Sequence, residues 1–223
     1  MRRGGLRGVY AITPDWLCAQ PLALESTVEK ALLGGVGFIQ YRDKTGDGRR
    51  AFDNAATVGA LCRAHGARLI INDDVEMALR LNADGVHLGA SDAPLATARQ
   101  TLGADKLIGI SCANSLARLH AADAGGADYL ALGAFYRSHT KTDTQAADTA
   151  LLRTARASTD TPICVIGGLT PGRAAPLIAQ GADLVAVSQA LFSAADVQQR
   201  AQAFSRLFDA QENAGNALRS SRT

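Results

Sequence analysis

The chain has 223 residues, of which 47% are hydrophobic and 20% charged, and this fits one compact domain with a large core. A formal charge of +2 with interspersed acidic and basic residues excludes the sustained basic surface of a nucleic-acid-binding protein. The four cysteines are scattered without a CxxC pair, and no apolar run reaches the roughly 20 residues of a membrane span. We therefore expect a cytoplasmic protein with reduced thiols, without membrane or nucleic-acid partners.

Short runs rich in Val, Ile and Leu alternate with longer amphipathic stretches along the chain. This alternation indicates βα units, and the continuous apolar character of the short runs indicates parallel strands covered by helices. The predicted strands are Gly8–Thr13, Gly37–Asp43, Arg68–Asn72, Asp84–Leu88, Lys106–Ser111, Asp128–Gly133, Pro162–Ile166 and Asp183–Ser188. The predicted helices are Pro21–Leu33, Gly48–His65, Val75–Leu81, Pro94–Leu102, Ser115–Ala124, Thr149–Ala157, Pro171–Ala179 and Ala194–Ala210.

Eight parallel strands in a chain of this length predict an α/β protein with a single closed (β/α)8 barrel. We assign the barrel to residues 1–212 and expect the small, polar tail 213–223 to fray. A short signature repeats before three of the strands, as Asn82-Ala83-Asp84, Gly126-Ala127-Asp128 and Gly181-Ala182-Asp183. Asn or Gly there would supply the left-handed residue that ends a helix.

Function in such a barrel is expected at the carboxyl ends of the strands. After the second strand, alternation predicts that Gln40, Arg42 and Lys44 project to one side. Two cations and an amide that converge in an enclosed site suit a diphosphate, since Arg offers a planar fork and Lys a movable charge. A salt-bridged strand end is the alternative for this segment.

Carboxylates follow the third and fourth strands. Asp74 is interpreted as the N-cap of the helix that follows it. Asp73 and Asp92 come from adjacent strand ends, and two carboxylates with few other protein ligands suit Mg2+ when phosphate oxygens and water complete the coordination. Asp92 could instead cap the helix that begins at Pro94.

The loops after the last three strands suit a second phosphate. Residues 135–141, Phe-Tyr-Arg-Ser-His-Thr-Lys, combine small hydroxyl side chains with a lysine, although a solvated loop is the alternative. Gly167-Gly168 and Ser188-Gln189 stand where barrels of this type commonly bind phosphate through backbone N–H groups. His87 is interpreted as a satisfied core histidine, so His139 is the histidine that merits a test.

Motifs at successive strand ends together resemble the thiamine-phosphate synthase family. They are Tyr10-Ala11-Ile12-Thr13, Gln40-Tyr41-Arg42-Asp43-Lys44, Ile71-Asn72-Asp73-Asp74, Gly85-Val86-His87-Leu88-Gly89, Gly109-Ile110-Ser111, Thr140-Lys141 and Ile166-Gly167-Gly168-Leu169. The resemblance implies a transferase that joins an aminopyrimidine diphosphate to a thiazole phosphate. The resemblance also implies that diphosphate would leave first and that the thiazole nitrogen would capture the resulting pyrimidine methylene cation.

The resemblance also implies roles for particular residues. The implied pyrimidine-diphosphate site comprises Gln40, Tyr41, Arg42, Asp43, Lys44, Asn72, Ser111 and Lys141, of which Arg42, Lys44, Ser111 and Lys141 would be catalytic. The implied thiazole-phosphate site comprises Ser138, His139, Thr140, Gly168, Ser188 and Gln189. Asp73 and Asp92 would hold Mg2+. Small molecules are thus the expected partners, and the sequence leaves a homo-oligomer open.

The chain departs from the family pattern at three places. Ala90 stands where Gln is usual, Arg137-Ser138-His139 replaces Pro-Thr-x before Thr-Lys, and Gln189 stands where Ser is expected. These departures bear on phosphate binding and keep other functions open. One is a thiazole tautomerase-like relative, whose histidine after the sixth strand is Ala134 here. Others are a non-catalytic phosphate-ligand sensor and a generic phosphate-binding isomerase, and the isomerase would need an acid/base pair at facing strand ends.

Overall fold

A computed structural model describes residues 5–136 and 147–220, with side chains as far as residue 211. Eight parallel strands follow one another around a closed barrel in chain order, and the last pairs with the first. The strands are β1 Gly8–Ile12, β2 Val36–Tyr41, β3 Arg68–Asn72, β4 Gly85–Leu88, β5 Leu107–Ala113, β6 Tyr129–Gly133, β7 Ile163–Ile166 and β8 Leu184–Val187. The predicted (β/α)8 barrel is confirmed.

Helices lie outside the barrel and cover the strands. They are α1 Asp15–Cys18, α2 Pro21–Leu33, α3 Gly48–Ala64, α4 Val75–Arg80, α5 Leu95–Leu102, α6 Leu116–Ala124, α7 Thr149–Ser158, α8 Pro171–Ala179, α9 Gln189–Phe192 and α10 Val197–Ser220. Over the described ranges, none of these helices is long and apolar enough to cross a membrane.

The helix predictions differ from the structure by more than one residue in three places. The four-residue helices α1 and α9 were not predicted, because one turn is too short to show an amphipathic period. The last helix begins three residues later than predicted and continues to Ser220 instead of ending at Ala210. The predicted fraying of residues 213–223 stays a prediction.

Side-chain alternation along the strands divides the core into two layers. Outward-facing strand residues such as Ile39 and Ile71 pack with the helices in one large cluster. Inward-facing residues form a second cluster inside the barrel, namely Leu6, Tyr10, Phe38, Ile70, Tyr129, Ala131, Cys164, Leu184 and Ala186. The barrel interior is therefore a packed core in its lower part, and this core supports the mouth above it.

The repeated x-Ala-Asp signature forms hydrogen bonds between neighbouring strands at the amino-terminal end of the barrel. Asn82 and Gly126 have φ values of 49° and 85°, which confirms the predicted left-handed residues, and Gly181 at 103° behaves in the same way. In each repeat, the aspartate exchanges hydrogen bonds with the backbone of the neighbouring strand. The aspartate N–H donates to the carbonyl of one strand residue, and the aspartate carboxylate accepts the N–H of that strand residue. The pairs are Asp84 with Leu69, Asp128 with Ile108 and Asp183 with Ile163.

We expect Asp128→Ala to lower the free energy of unfolding by about 2 kcal/mol, because the change removes a half-buried, charged acceptor. The Ile108 N–H, 2.8 Å from the Asp128 carboxylate, would lose its partner, and Arg99 would lose its ion pair with Asp128. Urea unfolding measures the change. Asp105→Ala, at an exposed aspartate before the neighbouring strand β5, is the matched control and should stay within about 0.5 kcal/mol of wild type.

Candidate active site

A cavity of about 330 Å³ opens at the carboxyl ends of the strands. Residues of β1, β2 and β4 to β8 line it, together with the loops after β6, β7 and β8. The lining includes Gln40, Ser111, Gly168, Ser188 and Gln189, all of which the sequence placed in substrate sites. Their placement around one cavity follows from barrel closure, because every parallel strand then ends at the same mouth.

Four polar side chains are linked by hydrogen bonds on the floor of this cavity. The Gln40 amide nitrogen donates to the Tyr10 hydroxyl at 3.0 Å, and the Tyr10 and Tyr129 hydroxyls lie 2.7 Å apart. The Tyr129 hydroxyl lies 3.1 Å from His87 Nδ1. Gly109 makes room for the Tyr129 ring, since a Cβ at Gly109 would fall 1.9 Å from that ring. His87 is thus hydrogen-bonded, as predicted, but it also lines the cavity.

Burial inside the barrel lowers the pKa of His87 to about 4, although the Asp73 carboxylate nearby opposes the shift. The ordinary value is about 6.5, so between pH 6.5 and 4 the unfolded chain binds more protons than the native one. We expect the free energy of unfolding to fall by roughly 3 kcal/mol as pH drops through this window. His87→Asn should abolish that part of the pH dependence, whereas His65→Asn, at an exposed position, should retain it; equilibrium unfolding at several pH values provides the test.

The loop after β2 is held to the mouth by Asp15 of the unpredicted helix α1. Arg42 Nη1 donates to the Asp15 carboxylate at 3.1 Å, and the same carboxylate accepts the Lys44 N–H at 2.9 Å. The Arg42 N–H donates to the Thr13 hydroxyl at 2.9 Å. Because β2 ends at Tyr41, loop contacts rather than strand alternation place Arg42 and Lys44. The alternative of a salt-bridged strand end is present. The side chains of Arg42 and Lys44 each form an ion pair at the mouth, with Asp15 and Asp73 respectively.

The carboxylates after β3 and β4 come together as the sequence predicted. Lys44 Nζ lies 2.6 Å from Asp73 Oδ2, and the Asp92 side chain is near enough to act on the pKa of Asp73. Burial raises the pKa of Asp73, but interactions with Lys44, Asp92 and Asn72 outweigh burial and leave this pKa below its ordinary value. Asp92 accepts the Gly89 N–H at 2.6 Å and does not cap the next helix.

Asp74 is the N-cap of α4, as predicted, and its carboxylate accepts the Met77 N–H at 2.8 Å. Asp73, one residue earlier, has a φ of 63°, in the left-handed region that aspartate and asparagine tolerate better than most residues. Because of this backbone turn, the side chains of Asp73 and Asp74 have different partners. Asp74 begins the helix, while Asp73 faces Lys44 at the mouth.

The opposite side of the mouth is formed by the loops after β7 and β8. Gly167 and Gly168 have φ values of 108° and 58°, and a Cβ at Gly167 would lie 2.4 Å from the Ala134 side chain. Arg173 Nη1 donates to the Gly168 carbonyl at 2.9 Å, which fixes this turn. The side-chain oxygen of Gln189, Oε1, accepts hydrogen bonds from Trp16 Nε1 and the Ser193 hydroxyl, so this side chain bridges the rim.

Some predicted site residues are placed elsewhere or are not described. Tyr41 belongs to the outer core cluster and its hydroxyl donates to Asp43 at 3.1 Å, so any contact of these two residues with diphosphate stays a prediction. Ser138, His139, Thr140 and Lys141 lie outside the described residues. Sequence reasoning did not single out Tyr10, Tyr129, Asp15 or Arg173, because their roles depend on contacts between distant strands and loops.

The fold and its mouth define a class of protein, a (β/α)8-barrel with cationic side chains, paired carboxylates and a glycine turn suited to phosphorylated small ligands. A family model described as thiamine monophosphate synthase matches residues 9–191. The thiamine-phosphate synthase of Methylobacillus flagellatus is 48% identical over 204 residues, covering 92% of this chain and 96% of that protein. The thiamine-phosphate synthase of Thiobacillus denitrificans gives the same identity and coverage.

Among solved structures, the thiamine phosphate pyrophosphorylase of Pyrococcus furiosus superposes with a TM-score of 0.82 at 30% identity. The superposition covers 93% of this chain and 97% of that one. The chain belongs to the thiamine monophosphate synthase family. It is therefore a transferase of thiamine biosynthesis, and the family suggested by the sequence motifs is confirmed.

Proposed function

We propose that the protein condenses 4-amino-2-methyl-5-hydroxymethylpyrimidine diphosphate with 4-methyl-5-(2-phosphoethyl)thiazole, or its carboxylated form, to give thiamine phosphate and diphosphate. Family membership over most of the chain supports this reaction. The observation that carries it is the cavity at the carboxyl ends of the strands, which Gln40, Ser111 and the Gly167-Gly168 turn line. Arg42, Lys44 and the two aspartates belong to the loops after β2, β3 and β4 at the same end of the barrel, outside this lining.

The carboxylates after β3 and β4 fit a Mg2+ requirement. Mg2+ is commonly bound through one or two carboxylates, with phosphate oxygens and water completing its coordination. Asp73 and Asp92 are near enough for Asp92 to act on the pKa of Asp73, and across the described ranges no group of three or more potential metal ligands forms. This donor set matches a metal held jointly with a substrate diphosphate. Asp73 and Asp92 would hold Mg2+, which would neutralise charge on the departing diphosphate.

The chain's own residues would favour departure of the diphosphate by charge stabilisation and positioning. Arg42 and Lys44 would bind the phosphoryl oxygens, and Lys44 would leave its present partner Asp73 or bridge between it and the ligand. Ser111 lines the cavity at the end of β5, where its hydroxyl can contact the reacting groups. The implied partner Lys141 lies outside the described residues. Dissociation produces the pyrimidine methylene cation, and the thiazole nitrogen then forms the new C–N bond.

The thiazole phosphate would lie against the other side of the mouth. The Gly167-Gly168 turn and the backbone of Ser188 line the cavity there. The side chain of Gln189, which replaces the serine expected in the family, is engaged with Trp16 and Ser193. Binding at this position would therefore rest on backbone N–H groups more than on the residue-189 side chain. Ala134 lines the cavity where a tautomerase-like relative would place its histidine, which gives that alternative no support.

The direct test mixes purified protein with the two substrates, with and without Mg2+, and follows thiamine phosphate by its fluorescent oxidation product. Metal-dependent product formation is the expected result. A folded protein that makes no product under either condition would contradict the proposal, and binding of thiazole phosphate alone would then favour the sensor or tautomerase function.

We also propose that the protein acts in the cytoplasm. Whether it forms a homo-oligomer is to be decided by measuring its mass in solution.

A further inference from the structure

Four side chains on the cavity floor form a series of hydrogen bonds, and their chemistry determines which group donates and which accepts in each bond. This series consists of Gln40, Tyr10, Tyr129 and His87, contributed by β2, β1, β6 and β4. Gln40, Tyr10 and Tyr129 are at most 3% exposed, so water competes little for their polar groups. A buried hydroxyl group can both donate and accept, and leaving its hydrogen without an acceptor costs free energy.

The amide nitrogen of Gln40 can only donate, so the Tyr10 oxygen is the acceptor in that bond. Within the described part of the chain, the other partner of the Tyr10 hydroxyl is Tyr129, so the Tyr10 hydrogen finds its acceptor there. The Tyr129 hydrogen is then left for His87 Nδ1. This is the arrangement in which every hydroxyl hydrogen has an acceptor, and it leaves the His87 proton on Nε2.

The direction of the hydrogen bonds in this series determines which groups meet a ligand. With its nitrogen bonded to Tyr10, Gln40 has its carbonyl oxygen left to accept a hydrogen bond from a ligand. All four residues of this hydrogen-bonded series, Gln40, Tyr10, Tyr129 and His87, line the cavity. A ring that carries an amino group can donate to this oxygen, whereas a ring that carries an oxo group would place two acceptors against each other and leave both unsatisfied.

We propose that Tyr10, Tyr129 and His87 are positioning residues that hold the Gln40 amide in one orientation, and that this orientation selects a pyrimidine with an amino group over one with an oxo group. The inference rests on the proposed function, since it concerns the pyrimidine substrate of that reaction. The rings also fill the barrel interior, where Tyr10 stacks on Phe38 with centroids 5.8 Å apart. Removing the hydroxyl groups alone therefore separates positioning from packing.

The experiment compares kcat/KM for the aminopyrimidine diphosphate with that for its oxo analogue in wild type, Tyr10→Phe and Tyr129→Phe. In Tyr10→Phe the Gln40 amide loses the hydroxyl that fixes its orientation. The ratio of kcat/KM for the amino substrate to that for the oxo analogue should then fall about tenfold, which corresponds to the loss of roughly one hydrogen bond. In Tyr129→Phe the Tyr10 hydrogen finds its remaining acceptor in Gln40, which favours the flipped amide, so the preference should fall at least as far. The KM for thiazole phosphate should change less than twofold in both variants.

The matched control is Leu184→Val, a fully buried interior residue that is not part of the cavity lining. It should lower stability by about as much as a lost hydroxyl contact while keeping the wild-type substrate preference. A second readout is independent of turnover. The ¹⁵N chemical shifts of histidine-labelled protein, assigned with His87→Asn, should show His87 protonated at Nε2 in wild type and a mixture of tautomers in Tyr129→Phe.

The outcomes separate this inference from the proposed function. Wild-type preference retained in both phenylalanine variants, or loss of preference to the same degree in Leu184→Val, would overturn the positioning role. A wild-type His87 protonated at Nδ1 would overturn the direction of the hydrogen bonds in this series even if the enzyme is active. No thiamine phosphate from folded wild type would overturn the proposed function, and with it the assignment of the pyrimidine as the selected ligand.

Discussion

Replacing Asp73 with asparagine is expected to lower kcat/KM for thiamine phosphate formation at least about 100-fold, because a carboxylate proposed to hold Mg2+ becomes a neutral amide. Asparagine is chosen over alanine since residue 73 has a φ of 63°, which asparagine accepts with little strain. The ion pair with Lys44 is also lost, but both side chains are partly exposed, so the protein should remain folded. Steady-state rates over a range of Mg2+ concentrations provide the measurement.

Higher Mg2+ should recover part of the activity of Asp73→Asn, since Asp92 remains. Asp105→Asn is the matched control, at an exposed aspartate before β5 on the opposite end of the barrel, and should be indistinguishable from wild type. If Asp73→Asn turned over at a near-normal rate with an unchanged Mg2+ requirement, Asp73 would have no place in the metal site.

Replacing Arg42 with alanine is expected to have an effect of similar size, about 100-fold or more in kcat/KM, for a different reason. The guanidinium is proposed to neutralise the diphosphate as it departs, and a shorter side chain cannot reach it. The local backbone should persist, because the bond from the Arg42 N–H to Thr13 Oγ1 does not need the side chain. Asp15 would lose its ion pair but would keep the Lys44 N–H as a donor.

Single-turnover measurements with saturating thiazole phosphate distinguish Arg42→Ala from Asp73→Asn. In Arg42→Ala the dependence on Mg2+ should match wild type while diphosphate release slows. Arg153→Ala, at an exposed arginine of α7, serves as the control for loss of a surface cation. Normal diphosphate release by Arg42→Ala would remove Arg42 from the proposed mechanism and would leave it as the structural partner of Asp15.

Part of the cavity lining could be predicted from the sequence, because it lies at strand ends. Gln40, Ser111 and Gly168 line the cavity because each stands at or just after the end of a strand, and barrel closure brings these ends together. The approach of Asp73 to Asp92 follows from the same geometry. The exact placement of Arg42 and Lys44 could not be predicted, since it depends on Asp15 in a helix too short to be recognised from a periodic pattern.

The alternation of eight strands with helices and the left-handed residues before β4, β6 and β8 follow from the sequence alone, because each depends on local periodicity or on one residue's backbone preference. Only the tertiary structure decided which inward-facing side chains meet. Tyr10 and Tyr129 are 119 positions apart, and their hydrogen bond exists because the closed barrel places β1 and β6 across one interior, with Gly109 leaving space for the Tyr129 ring. Such contacts depend on the register and closure of the whole sheet, which no local pattern encodes.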